Sequence, residues 1–183
     1  MTRATHGRAG GTYRPCVDLR LIDNRPVVVR PIRPEDKALL QTGLRMASPE
    51  SIRRRFLAPK PRFTGAELRY LTEVDFASHF ALVAVAADDP ACLLAVGRWV
   101  CLPDDPATAE VAIIVADSVQ RQGLGTELAL ALADAARERG VLRLTATMLA
   151  DNLPAHRLLQ RMSARLTVEP HGAANHALLE LAA

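Results

Sequence analysis

The residues best able to do chemistry lie in Asp117-Ser118-Val119-Gln120-Arg121-Gln122-Gly123-Leu124-Gly125-Thr126, between an apolar run ending near Val115 and a strong helical period. Glycine at 123 and 125 lets the backbone approach a ligand with no side chain in the way. The first amides of the following helix have no partners inside it, and the helix dipole adds partial positive charge there. Together they make an anion site suited to a diphosphate, to which Arg121 can add a direct charge. A nucleotide-hydrolysing P-loop requires Lys-Ser/Thr after its last glycine, where this chain has Thr126-Glu127. A dinucleotide fingerprint requires a third glycine near Leu128, and that reading fails too. Taken alone, the Gly-x-Gly pair is equally a turn that starts a helix.

Other candidate groups are weaker. Cys16, Cys92 and Cys101 have no metal-ligand spacing, so no metal site is expected; Cys92 and Cys101 sit in apolar sequence and read as small core residues. Arg53-Arg54-Arg55 with Lys60 and Arg62 forms a basic cluster, read as a solvated helix face with one inward residue. The net charge of +3 over 183 residues suits an anionic ligand but falls short of a nucleic-acid binder. Aromatic interleaving for base stacking is missing, with four Phe, two Tyr and Trp99, the last read as core or pocket wall. No apolar run follows Arg3 and Arg8, and none approaches a membrane span, so a cytoplasmic protein without leader or membrane contact is expected.

The elements that must hold the glycine turn follow from periodicity. Residues 1–16 have no hydrophobic period and read as a loose tail. Val17–Leu21 and Val27–Ile32 flank Asp23-Asn24 as a hairpin. Pro34-Glu35-Asp36 opens a helix to about Met46, Ser48-Pro49 a short second one, and Thr64-x-x-Glu67 a third with capping-box spacing. Apolar runs at His79–Ala87, Leu93–Cys101 and Ala109–Ala116 read as strands, separated by Asp88-Asp89-Pro90 and Pro103-Asp104-Asp105-Pro106. Leu124, Leu128, Ala131, Leu132 and Ala135 then share one helix face, which Gly140 stops. Val141–Leu149 is a strand, Asn152 caps a helix to about Met162, and Arg165–Glu169 and Ala174–Leu181 close the sheet. The order predicts an α/β chain with a mixed sheet and helices packed on it.

Set in that frame, Gln120-x-x-Gly123-x-Gly125 after an apolar strand resembles the acetyl-CoA loop of the GNAT superfamily of N-acetyltransferases. Asn152-x-x-Ala155-x-x-Leu158 resembles that family's asparagine-led helix, and Val29–Asp36 its first strand and helix start. Ser48-Pro49-Glu50-Ser51, Arg55-Phe56, residues 74–83 and Ala109-Glu110-Val111-Ala112 resemble the catalytic domain of bacterial Pat-type protein-lysine acetyltransferases. The resemblance covers nearly all of the chain from residue 17 and implies one N-acetyltransferase domain over 17–183. It also implies a twisted, mostly antiparallel sheet of six to seven strands flanked by about four helices. Relatives often carry a further regulatory domain, and at 183 residues none is expected here.

The implied activity is transfer of an acetyl group from acetyl-CoA to a primary amine, most directly a protein lysine. The alternatives are a small-amine acetyltransferase and a non-catalytic acyl-CoA-binding module. By resemblance, backbone groups at Ile113, Ile114 and Val115 hold the pantetheine arm, Gln120, Arg121, Gln122, Gly123, Leu124, Gly125 and Thr126 hold the diphosphate, and Asn152 lies beside the arm. Glu110 falls where Pat-type enzymes carry a glutamate base. Read without the resemblance, it is a strand carboxylate facing solvent or an arginine, and His79 is the fallback base. Two positions depart from the family. Leu159 occupies the slot of the usual tyrosine acid, leaving water or Ser118 to protonate the thiolate, and Ser163-Ala164 replaces the usual Gly-Phe. Exposed sheet edges are compatible with a homodimer.

Overall fold

A computed structural model describes residues 17–163 and 165–181; the tail at 1–16, Cys16 and Ala164 lie outside them. The described residues form one sheet of eight strands, β1 (Val17–Arg20), β2 (Pro26–Pro31), β3 (His79–Ala86), β4 (Leu93–Leu102), β5 (Asp105–Val115), β6 (Arg143–Leu149), β7 (Arg165–His171) and β8 (Ala174–Glu180), in the order β1-β2-β3-β4-β5-β6-β8-β7. Helices α1 (Lys37–Met46), α2 (Pro49–Phe56), α3 (Gly65–Thr72), α4 (Leu124–Glu138) and α5 (Leu153–Met162) cover it. The sheet and helix set are each slightly larger than the resemblance implies. The sheet is antiparallel except between β5 and β6, which the long crossover through α4 makes parallel.

Alternation along the strands divides the core between the two faces. Phe80, Leu82 and Ala84 of β3 join Trp99, Val111 and the apolar face of α4 in the larger cluster, whereas Ala81 and Val83 join Ile32 and Leu40 in the smaller one under α1 and α3. Being buried on both faces is why β3 reads as an unbroken apolar run. Trp99 is core, fully buried and stacked on Phe80 with ring centroids 5.5 Å apart. Asn24, at φ 70, turns the β1–β2 hairpin.

Two expectations change. Cys92 is exposed, because it belongs to the loop entering β4 rather than to the strand, and Cys101 is only partly buried. The turn between β4 and β5 is shorter than the stretch Pro103-Asp104-Asp105-Pro106 suggests. Asp105 already pairs with Leu102 across a register shift, its carboxylate accepting from Thr108 at 2.6 Å and Arg143 at 3.0 Å.

Candidate active site

The parallel pairing of β5 with β6 runs through Thr108↔Arg143, Ala109↔Leu144 and Glu110↔Thr145 and goes no further. Beyond Glu110 β5 stays bonded to β4 as far as Val115↔Ala95, while β6 stays bonded to β8 as far as Leu149↔Ala174. The two strands therefore separate, and alternate residues of Val111–Val115 turn their N–H and C=O groups into the gap. A cleft of about 270 Å³ occupies it, lined by Glu110, Val111, Ala112 and Ile113 of β5, Ala146, Thr147 and Met148 of β6, Asn152, Ala155, Leu158 and Leu159 at α5, and the stretch Arg54–Leu57.

The start of α4 adjoins the cleft wall at Leu158. Gly123 caps it at φ 88, a backbone state that disfavours any side chain, and the cap makes no side-chain hydrogen bond. Gly125 lies against the end of β5 and α5: an added Cβ would stand 3.4 Å from Val115 Cγ2 and 4.0 Å from Leu158 Cδ1. The N–H groups of Thr126 and Glu127 turn back to the Gly123 carbonyl at 3.0 and 3.2 Å. Those of Leu124 and Gly125, ahead of them, fall where a helix supplies no acceptor of its own. The Leu124 side chain is buried in the core, fixing the first turn, and Arg121 is exposed at φ 62.

Two side chains of the turn are engaged with the protein. Gln120 Nε2 donates to Ser51 Oγ, the Val115 carbonyl and Asp117 Oδ1 at 3.2–3.3 Å. Gln122 Oε1 accepts from the Asp23 amide at 3.2 Å, and its carbonyl accepts from the Ile22 amide. Asp117 in turn accepts from the Ser48 amide and from the hydroxyls of Ser48 and Ser51, at 2.7–2.9 Å. Desolvation raises the Asp117 carboxyl pKa, but these donors outweigh it and hold the group below its usual value. The turn is thus clamped between the β1–β2 hairpin and the start of α2.

Of the other residues singled out from the sequence, Ile113 lines the cleft, Val115 packs on Gly125, and Ile114 faces the opposite side of the sheet toward α1. Asn152 is buried at the cleft wall and caps α5, its Oδ1 accepting from the Ala155 amide at 3.2 Å. Leu159 is buried in the same wall. Glu110 is exposed at the point where the strands part. Across the sheet Glu110 pairs with Val100 and Val100 with His79, so all three share a face. His79 Nε2 meets Arg98 Nη1 at 3.1 Å; burial first, then the Arg98 charge, push its pKa down to about 4, with Asp75 opposing. With Nε2 engaged by Arg98 and so low a pKa, it is a weak proton acceptor near pH 7, and Glu110 is the better placed of the two.

Sequence reasoning left Arg55, Phe56 and Thr147 unassigned. Arg54 and Arg55 of the basic cluster both line the cleft, and Arg55 is the one without an ion pair among the described residues. Only its helical spacing could have pointed to this, because Arg53 and Arg54 beside it both pair with Glu50.

The chain matches the acetyltransferase (GNAT) family model over residues 49–163. It is 36% identical to acetyltransferase Pat of Mycolicibacterium smegmatis over 74% of this chain and 40% of that protein. An acetyltransferase of Pseudomonas aeruginosa is 30% identical over 66% of this chain and 64% of its own length, so the chain spans less than two thirds of these curated relatives. Among solved structures, the GNAT domain of S. lividans PAT superposes with a TM-score of 0.80 at 26% identity, over 90% of this chain and 96% of that one. A cAMP-binding acyltransferase from Mycobacterium smegmatis superposes with a TM-score of 0.62 at 26% identity, over 91% of this chain and 47% of the other. No described helix is long and apolar enough to cross a membrane.

Proposed function

Because the chain belongs to the acetyltransferase (GNAT) family, we propose that it transfers an acetyl group from acetyl-CoA to a primary amine, namely a protein lysine ε-amine. The observation that carries this reading is the parting of β5 and β6 after Glu110, which opens a cleft with a free strand edge and a carboxylate, while the uncapped start of α4 adjoins its wall where Gly125 lies against Val115 and Leu158. The residues fit acetyl-CoA. The amides of Leu124 and Gly125 suit its diphosphate, the free edge of Val111–Val115 suits the amide groups of its pantetheine arm, and Ile113, Met148 and Leu158 give the arm apolar walls. When bound, acetyl-CoA supplies an acyl group activated by a thiol leaving group.

Glu110 acts on the amine. A lysine ammonium, with a pKa of about 10.4, must lose a proton before it can attack, and the exposed Glu110 carboxylate takes it directly or through one water. Strand amides at the edge of β5 then stabilise the charge that develops on the acyl oxygen. Leu159 supplies no proton to the departing sulfur; a thiol of pKa about 8.5 leaves tolerably without one, and solvent completes the transfer. The lysine reading draws support from the similarity to acetyltransferase Pat and from the openness of the Glu110 side of the cleft.

The test is thiol release from acetyl-CoA with lysine peptides and with small amines. Release with a peptide, abolished by blocking its ε-amine, is the expected result. Release with small amines alone would move the acceptor to that class, and no release with either would remove the transferase reading.

A further inference from the structure

Among the described residues, two arginines on the acceptor side of the sheet are not answered by any carboxylate in contact. Arg53 and Arg54 pair with Glu50, and Arg53 also reaches Asp151 at 3.4 Å. Arg55 turns the other way. Its guanidinium carbon lies 4.9 Å from the centroid of the Phe56 ring, on a wall shared by the Glu110 cleft and a smaller apolar pocket of about 60 Å³ behind it. Among the described residues it makes no ion pair or hydrogen bond. Arg98, in the same pocket, has only uncharged partners, the Leu71 carbonyl at 3.0 Å and His79 Nε2 at 3.1 Å.

Removing cations from water is costly unless an anion meets them, and two together cost more. The protein bears the mark of this. Burial holds the Arg55 pKa below the usual arginine value, with only the charge of Glu110 opposing. Burial, followed by the Arg55 charge, brings Arg98 down to about 10, with Tyr70 opposing. Glu110 at a distance thus opposes the Arg55 charge alone, and an anion entering the pocket would restore the balance.

We propose that Arg55, backed by Arg98, is a specificity-determining residue that binds a carboxylate of the acceptor a few bonds from the amine presented to Glu110. This rests on the acceptor side assigned above. Along the cleft the charges then alternate: Glu110, the acceptor's ammonium, its carboxylate, Arg55. A guanidinium fork matches a carboxylate bidentately, and the pocket has room for a group of that size. In a protein acceptor the carboxylate is an Asp or Glu beside the target lysine; in a small acceptor it is the amino acid's own.

Matched pairs separate the sources: a Lys-Asp against a Lys-Asn peptide, and a free amino acid against its amide. Each is assayed by thiol release, and as its acetylated product by calorimetry with coenzyme A present, which reads recognition without turnover. In the unmodified protein the acid member of one pair should be favoured about tenfold, chiefly in KM. Arg55→Gln should bring that ratio to one and Arg55→Lys should keep part of it, with circular dichroism confirming that both variants fold. Preference within the amino-acid pair alone sustains the carboxylate site while removing the protein-lysine reading. Equal treatment of acid and amide in both pairs, or a preference that survives Arg55→Gln, overturns the proposal, as does failure of every product to bind.

Discussion

The helix starts of α4 and α5 lie on the two sides of one cleft wall, with Asn152 in it and Gly125 behind its Leu158, and are built in opposite ways. Asn152 closes α5 with its own side chain, spending Oδ1 on the Ala155 amide. Helices α2 and α3 are closed likewise, by Ser48 on the Ser51 amide and by the reciprocal Thr64–Glu67 box. Gly123 closes α4 with no side chain, and Gly125 in its first turn lies against Val115 and Leu158. A side-chain cap stabilises a helix by about 1 kcal/mol, so omitting it from the longest helix leaves stability unused and amides available. The side-chain-capped starts hold the fold together; α1 also lacks such a cap but continues directly from the 3-10 turn Pro34–Asp36, whereas the start of α4 at Gly123 is left for a ligand.

Substitutions can break or sharpen that contrast. The largest effect belongs to the carboxylate between the two helix starts: Glu110→Gln should lower turnover about a hundredfold or more while the Kd for coenzyme A, measured by calorimetry, stays put. Next comes Gly123. Asp and Asn at this position carry the same backbone strain, but Asp adds a negative charge at the proposed diphosphate seat. Gly123→Asp should therefore bind coenzyme A about tenfold more weakly than Gly123→Asn in the same titration. The capped helices should behave in reverse. Thr64→Ala should cost about 1 kcal/mol in urea unfolding and leave coenzyme A affinity unchanged. A change in affinity there would mean that capping and binding are not separable.

The smallest effect is a pH dependence away from both helix starts. The pKa of His79, about 4 in the folded protein against about 6.5 unfolded, means that the unfolded chain binds more protons between those values. Stability should fall as pH drops from about 6.5 toward 4, and His79→Gln should flatten that part of the profile. A slope unchanged by the substitution would assign it to other groups.

Local chemistry made much of this legible in the sequence. Ser48, Thr64 and Asn152 announce their helices, alternation marks the strands, and two glycines mark the turn. What sequence could not give was tertiary. The parting of β5 from β6 is an absence of pairing between strands that a whole helix separates, and nothing in Val111–Val115 distinguishes a paired edge from a free one. Gln120 and Gln122 look like ligand-facing residues, yet their side chains bind Ser51 and the Asp23 amide, 69 and 99 residues away. Arg55 hides among neighbours of identical type, because α2 turns only every third or fourth residue inward. Asp88-Asp89-Pro90 marks a loop, but not that Cys92 still belongs to it.

If the bare start of α4 seats the diphosphate, calorimetry must tell coenzyme A from pantetheine, which lacks that group. The account predicts that coenzyme A binds well and pantetheine much more weakly, with Gly123→Asp removing most of the difference. Equal affinities for the two ligands, or a difference untouched by Gly123→Asp, would contradict it.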